Sequence, residues 1–86
     1  MFQLLRFHAD WCSPCKQLAP IIEQIDKDMP DVEVKHVNVD HEPEIAGDYG
    51  IMSVPTLVLL KDGQPVQRMS GFQPKERVAA MINSQR

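Results

Sequence analysis

The 86-residue sequence predicts an α/β fold with element order βαβαββα, a four-stranded mixed sheet flanked by three helices. Three observations carry that expectation. Apolar or β-branched runs of strand length occur at residues 4–9, 32–39, 56–60 and 66–70. Apolar residues recur at helical spacing as Leu18, Ile21, Ile22, Ile25 and Met29, and again as Val78, Met81 and Ile82. Only the last two strands are joined by a tight turn, Lys61-Asp62-Gly63-Gln64, so the pairing is parallel across a helical crossover first and antiparallel in a terminal hairpin.

Leu4 to Ala9 reads as a strand that stops where Asp10 and Trp11 begin a turn. From Pro14 a helix of about four turns follows. Pro14 suits its first turn, Pro20 is expected to kink it, and Pro30-Asp31 ends it. Glu23 and Lys27 form a favourable i,i+4 pair on its polar side. Val32, Val34, Val37 and Val39 mark the second strand, closed by Asp40 and the Pro43 region, and a short helical patch spans Glu44 to Asp48. Thr56 to Leu60 reads as a buried strand, Val66 to Ser70 as its returning partner, and Pro74 opens the last helix. Residues 1–86 are expected to form a single domain, with no repeat, linker or low-complexity segment.

With 43% hydrophobic and 24% charged residues, the composition excludes a disordered chain. The net charge of −3, with Lys and Arg scattered among Asp and Glu, argues against nucleic acid and anionic lipid as partners. No apolar run is long enough to span a bilayer, and no leader is visible at Met1. Two cysteines at positions 12 and 15 cannot staple distant segments, so they point to a reactive pair in a reducing compartment, with the cytoplasm as the default location.

The spacing matters chemically. Residues i and i+3 in the first turn of a helix stand close enough for their sulfurs to bridge and to part again in place. At the helix N-terminus the Cys12 sulfur meets unpaired backbone N–H groups and the positive end of the dipole, which favour the nucleophilic thiolate. Cys15, one turn further in, is expected to be less exposed and suited to resolving a mixed disulfide. A rival reading makes the C-x-x-C half of a zinc site completed by His8, His36 or His41, although no second ligand pair of familiar spacing is present. Glu42, Glu44 and Asp48 lack the loop pattern of a calcium site and read as a solvated acidic helix start.

Four motifs in order resemble the thioredoxin family over almost the whole chain. Ala9-Asp10-Trp11-Cys12-Ser13-Pro14-Cys15-Lys16 is similar to the family's W-C-G-P-C-K, with Ser13 where Gly is usual. Asn38-Val39-Asp40 resembles the end of the second core strand, and Tyr49-Gly50-Ile51-Met52-Ser53-Val54-Pro55-Thr56 resembles Y-G-I-x-x-x-P-T. Lys61-Asp62-Gly63 followed by Ser70-Gly71 resembles the hairpin and its glycine. The resemblance implies a thioredoxin-like fold, a protein-disulfide reductase carrying electrons on its dithiol, and a cis peptide at Val54-Pro55 facing the cysteines. Read alone, Pro55 is an edge or strand-start proline. The resemblance further implies a substrate surface of Trp11, Pro14, Val54, Pro55 and Gly71, with the Val54 backbone free to pair with an extended segment and Gly71 leaving room for approach. Plain packing is the other reading of Trp11.

No bound cofactor is expected. The resemblance implies an external thioredoxin reductase using FAD and NADPH as the electron source, and disulfide-containing protein substrates such as ribonucleotide reductase. A glutaredoxin-like, glutathione-coupled protein and a non-catalytic metal-binding or scaffold module are the alternatives.

The chain departs from the family pattern in two respects. It starts at the strand leading into the cysteines, as a minimal thioredoxin without the usual N-terminal strand and helix, which is expected to leave a sheet edge less covered. A monomer is expected, although such an edge permits a dimer. In addition, Arg6 falls where the family usually has a buried Asp, and His36 where it usually has Lys. Arg6 and His8 share parity on one strand, as do His36 and Asn38 on the next, so one face of the sheet is expected to be partly wet. Arg6 cannot accept a proton. Near the sulfurs it would stabilise thiolate and the reduced state; on an uncovered face it would only be solvated. His36 is either a proton shuttle or an ordinary strand histidine.

Overall fold

The computed structural model describes every residue from Met1 to Arg86. Its elements follow the predicted order: β1 (Phe2–His8), α1 (Ser13–Asp28), β2 (Val32–Asn38), α2 (Pro43–Asp48), β3 (Thr56–Lys61), β4 (Gln64–Ser70) and α3 (Lys75–Asn83). The sheet order is β2-β1-β3-β4, with β1 parallel to β2 and antiparallel to β3, and β3 antiparallel to β4. The parallel pair is the one separated by a helix, because a parallel return needs a crossover that a two-residue turn cannot supply.

Strand parity sorts the apolar residues into two layers. Phe2, Leu4, Val32, Leu57 and Leu59 face α1 and α3, where they meet Leu18, Ile22, Ile25, Val78, Met81 and Ile82. Leu5, Phe7, Val37, Val58 and Leu60 face the other way, against Ala46 and the flanking Ile45 and Tyr49 of the α2 region. The rings of Phe7 and Tyr49 are tilted against each other at 5.8 Å between centroids. The fully buried aliphatic side chains among them, such as Leu4, Leu18, Ile22 and Leu59, each contribute on the order of 1.5–3 kcal/mol relative to exposure. β1 and β3 lie in the middle of the sheet and are largely buried on both faces, which is why β3 carries the continuous apolar run Leu57 to Leu60 and β1 has apolar residues of both parities, Leu4, Leu5 and Phe7.

Element boundaries shift slightly from expectation, for identifiable reasons. β1 begins at Phe2 because Phe2 is in register with both Val32 and Lys61. β4 begins at Gln64, two residues early, because Asp62 and Gly63 alone make the turn, with φ of 52° and 84°. Both central residues in the left-handed region match the hairpin turn whose twist fits the flanking strands. α1 remains helical through Pro20 to Asp28. A proline there lacks the N–H that would serve the carbonyl of Lys16.

The two edges of the sheet differ from its centre. β4 is exposed along most of its length, contains Pro65, and has a register irregularity opposite Leu59 and Leu60. β2 carries Glu33 and Lys35, which pair at 3.7 Å.

Candidate active site

After β1 the chain turns sharply, with the Cys12 N–H donating to the Ala9 carbonyl at 3.2 Å. Cys12 is the N-cap of α1, in extended conformation, and its Sγ accepts the Cys15 N–H at 3.3 Å. A sulfur therefore does what a Ser or Asp side chain does at most helix starts. Cys12 and Cys15 are joined as a disulfide with Cα atoms 5.2 Å apart. The first turn of α1 contains no acidic residue, so no side chain of the helix itself offsets its positive end beside the sulfurs.

Cys15 is the less exposed cysteine, as expected, yet the margin is small, because Cys12 is buried too (4% against 1%). Cys12 packs with Ala9 and Cys15 against Val39 and Val54. What separates the two cysteines is position: Cys12 caps the helix and Cys15 lies inside it.

The loop before β3 closes over this pair. Val54-Pro55 is a cis peptide, Pro55 is fully buried, and Val54 contacts the cysteine cluster. The Thr56 hydroxyl donates to the Ser53 carbonyl at 2.8 Å, and the Gly71 N–H donates to the Pro55 carbonyl at 2.8 Å. Arg68 of β4 donates to the carbonyls of Tyr49 and Gly50, tying the start of the same loop to the sheet. Gly71 has φ 80°, and a Cβ built on it would meet no atom within 4 Å. The backbone conformation therefore requires glycine, and open space lies in front of it.

Trp11 is 69% exposed, so it is a surface residue rather than a core aromatic. Its indole Nε1–H donates to Asp40 Oδ2 at 2.9 Å. Together with Val39, Ile51, Met52, Ser53 and Val54 it lines an apolar groove beside the cysteines, and Pro14 is exposed on the adjoining helix start. The sequence reading singled out Trp11, Pro14, Val54, Pro55 and Gly71 but not Asp40, Ile51 or Met52. Met52 is 95% exposed, and a large apolar side chain in the loop directly before Pro55 was the available signal.

Two positions were open for Arg6, near the sulfurs or solvated on an uncovered face, and the second does not hold: Arg6 is buried, at 8% exposure, because α1 covers that end of β1. His8 beside it is half-buried and His36 is exposed, so the wet character is confined to the neighbouring strand positions. Arg6 Nη2–H donates to the Cys15 carbonyl at 2.9 Å, and Nη1 lies 3.3 Å from His36 Nδ1, its register partner on β2. Arg6 Nε has no partner. No carboxylate lies within ion-pairing distance of Arg6. Partial desolvation lowers the His36 and His8 imidazoles from the ordinary histidine value, and the Arg6 charge adds to the shift in both. Nδ1 of a neutral His36 can then accept from Arg6.

No group of three or more His, Cys, Asp or Glu side chains is placed to hold a metal ion. No helix is long and apolar enough to cross a membrane.

The family model Thioredoxin matches residues 2–84. The chain belongs to the thioredoxin family. It is 46% identical over 81 residues to thioredoxin of Bacillus subtilis (strain 168), an alignment covering 93% of this chain and 78% of that one. Among solved structures, a mutant thioredoxin from Halobacterium salinarum NRC-1 superposes with a TM-score of 0.93 at 37% identity, covering 96% of this chain and 73% of that one. Fasciola hepatica thioredoxin also superposes at 0.93, with 35% identity, covering 99% of this chain and 81% of that one. The predicted thioredoxin-like fold is therefore the observed one. The chain is a protein thiol–disulfide oxidoreductase of thioredoxin type, with its C-x-x-C pair at disulfide distance.

Proposed function

We propose that Cys12 is the attacking sulfur and Cys15 the resolving one in the reduction of protein disulfides. The observation that carries this assignment is the capping geometry: Cys12 Sγ accepts the N–H of Cys15 at the positive end of α1, whose first turn holds no acidic residue. A Cys12 thiolate attacks one sulfur of the substrate disulfide, forming a mixed disulfide and releasing the other sulfur as a thiolate. The Cys15 thiolate then attacks Cys12 Sγ, closing the Cys12–Cys15 bond and expelling the second substrate sulfur. Two electrons pass to the substrate, whose thiolates take protons from solvent.

The groove of Trp11, Val39, Ile51, Met52, Ser53 and Val54 supports a substrate surface around the cysteines. There an extended segment would pair with the Val54 backbone, with Pro14, Pro55 and Gly71 leaving the approach open. Disulfide-containing proteins as substrates and a reductase as donor follow from the family. A flavin- and NADPH-dependent thioredoxin reductase, ribonucleotide reductase as one substrate, a cytoplasmic location, action as a monomer and residues 1–86 as one working domain are the finer parts of this proposal.

The test is reduction of a protein disulfide by a chemical thiol, with and without the protein. Wild type is expected to accelerate the reaction and Cys12→Ser to lose the acceleration; equal rates for the two would overturn the assignment. Replacing the chemical thiol in turn with NADPH plus thioredoxin reductase and with glutathione identifies the donor.

A further inference from the structure

A buried guanidinium without a carboxylate is an unusual object. Arg6 keeps its charge at any pH a protein survives. Desolvating it is costly unless an anion compensates, and in the disulfide state none is adjacent. Its protein partners are a neutral carbonyl, Cys15 O, and a neutral imidazole nitrogen, His36 Nδ1, while Nε–H has none. Charged and titratable groups face it from α1, β1 and β2. From α1, Glu23 acts at a distance without an ion pair, and Glu23 and Asp26 together draw on His36. From β1 and β2 come His8 and His36, both disfavoured as cations. From β3 the register partner is apolar, Leu57.

We propose that the missing counter-ion is supplied by the chemistry itself: Arg6 is a positioning residue that holds Cys15 as a thiolate once the Cys12–Cys15 bond is reduced. The inference rests on the disulfide-exchange reading above. When two electrons enter the S–S bond, Cys12 and Cys15 each become a sulfur that is either protonated or anionic. Arg6 is already bonded to the residue carrying the buried sulfur and biases that choice toward the anion. A thiolate at Cys15 is the species that attacks Cys12 Sγ in the resolving step, so a fixed cation here replaces proton removal by a base. The same interaction favours the reduced state and makes the disulfide easier to reduce.

The test uses three replacements of Arg6, each made in the wild-type pair and in a Cys12→Ser chain where only Cys15 titrates. Arg6→Met removes charge and hydrogen bonds, Arg6→Gln can keep an N–H toward the Cys15 carbonyl without charge, and Arg6→Lys keeps the charge. The thiolate absorbance of Cys15 is expected to rise about one pH unit later in the Met and Gln chains, the lower end of the effect of one neighbouring charge. In the Lys chain it should stay near the parent. In the intact pair, equilibration with glutathione on the alkaline side of that titration should show a disulfide about tenfold harder to reduce for Met and Gln, about 30 mV for a two-electron couple. Coincident titrations and equilibria in whichever of the two neutral variants folds would overturn the proposal. A shift in Met that Gln restores would overturn it as well, by assigning the effect to the hydrogen bond rather than the charge. If the wild-type pair fails to exchange with glutathione at all, it is the disulfide-exchange reading that falls.

Discussion

Trp11 and Asp40 hold each other across the mouth of the site: the indole N–H ahead of Cys12 donates at 2.9 Å to a carboxylate in the turn after β2. The bond fixes an exposed aromatic that would otherwise swing free, and so gives one wall of the groove a defined position.

Asp40→Ala should therefore loosen Trp11 more than it loosens the fold. A hydrogen bond to a charged group this exposed contributes about 1 kcal/mol or less to stability. Trp11 is the only tryptophan, so its fluorescence reports the change directly. The expected result is an altered emission maximum and a KM raised a few-fold for protein substrates, with a urea midpoint close to wild type. An unchanged emission spectrum would show that Asp40 does not position the ring.

Two glycines should respond in opposite directions to the same substitution. Gly71→Ala places a Cβ at φ 80° in open space, so its cost is conformational, about 1–2 kcal/mol. Gly47 lies in α2, also in open space but without positive φ, and Gly47→Ala is expected to stabilise by up to about 1 kcal/mol. Chemical denaturation of both variants checks the pair.

Leu18 is fully buried between α1 and the sheet, and Leu18→Ala should cost about 2–5 kcal/mol through lost burial and a residual cavity. Urea unfolding followed by far-UV circular dichroism measures it. A cost below about 1 kcal/mol would mean that α1 settles onto the sheet without this contact.

Acid should weaken the fold in two windows. His8 and His36 are held below the ordinary histidine value, chiefly by burial, so the unfolded chain binds protons more readily. Stability is therefore full above the unfolded value, about 6.5, and falls as pH drops from there toward the lower folded values. Asp31, bonded to Arg86, and Asp62, bonded to the N-terminal ammonium, are depressed carboxyls, and what they contribute is lost further down, as pH falls through their folded values. Denaturation midpoints from about pH 7.5 to about pH 5 should decline in wild type and flatten in a His8→Asn, His36→Asn double variant.

The strands were legible because β1 and β3 are central and carry apolar side chains on both faces, Leu4, Leu5 and Phe7 in one and Leu57 to Leu60 in the other, and the hairpin because Asp62-Gly63 is one of few pairs that tolerate its turn. The cysteine pair was legible because its chemistry depends on spacing along one helix. Arg6 was not. Parity places its side chain on a face but does not say whether a helix lies over that position, and only the packed structure shows α1 doing so. Asp40 and Met52 were missed for a related reason: the tertiary fold brings one to the Trp11 indole and the other to the same groove, from segments far apart in sequence.

The exposed edge strands bear on life in a concentrated solution. A sheet with two exposed edge strands must avoid zipping onto copies of itself. Pro65 interrupts the row of donors on β4, the irregularity opposite Leu59 and Leu60 spoils a straight template, and β2 presents a fixed acid–base pair, Glu33 and Lys35, where a second strand would have to lie flat. Both edges are thus poor templates for a further strand, whereas the apolar groove of Trp11, Val39 and Val54 at the sulfur end stays open.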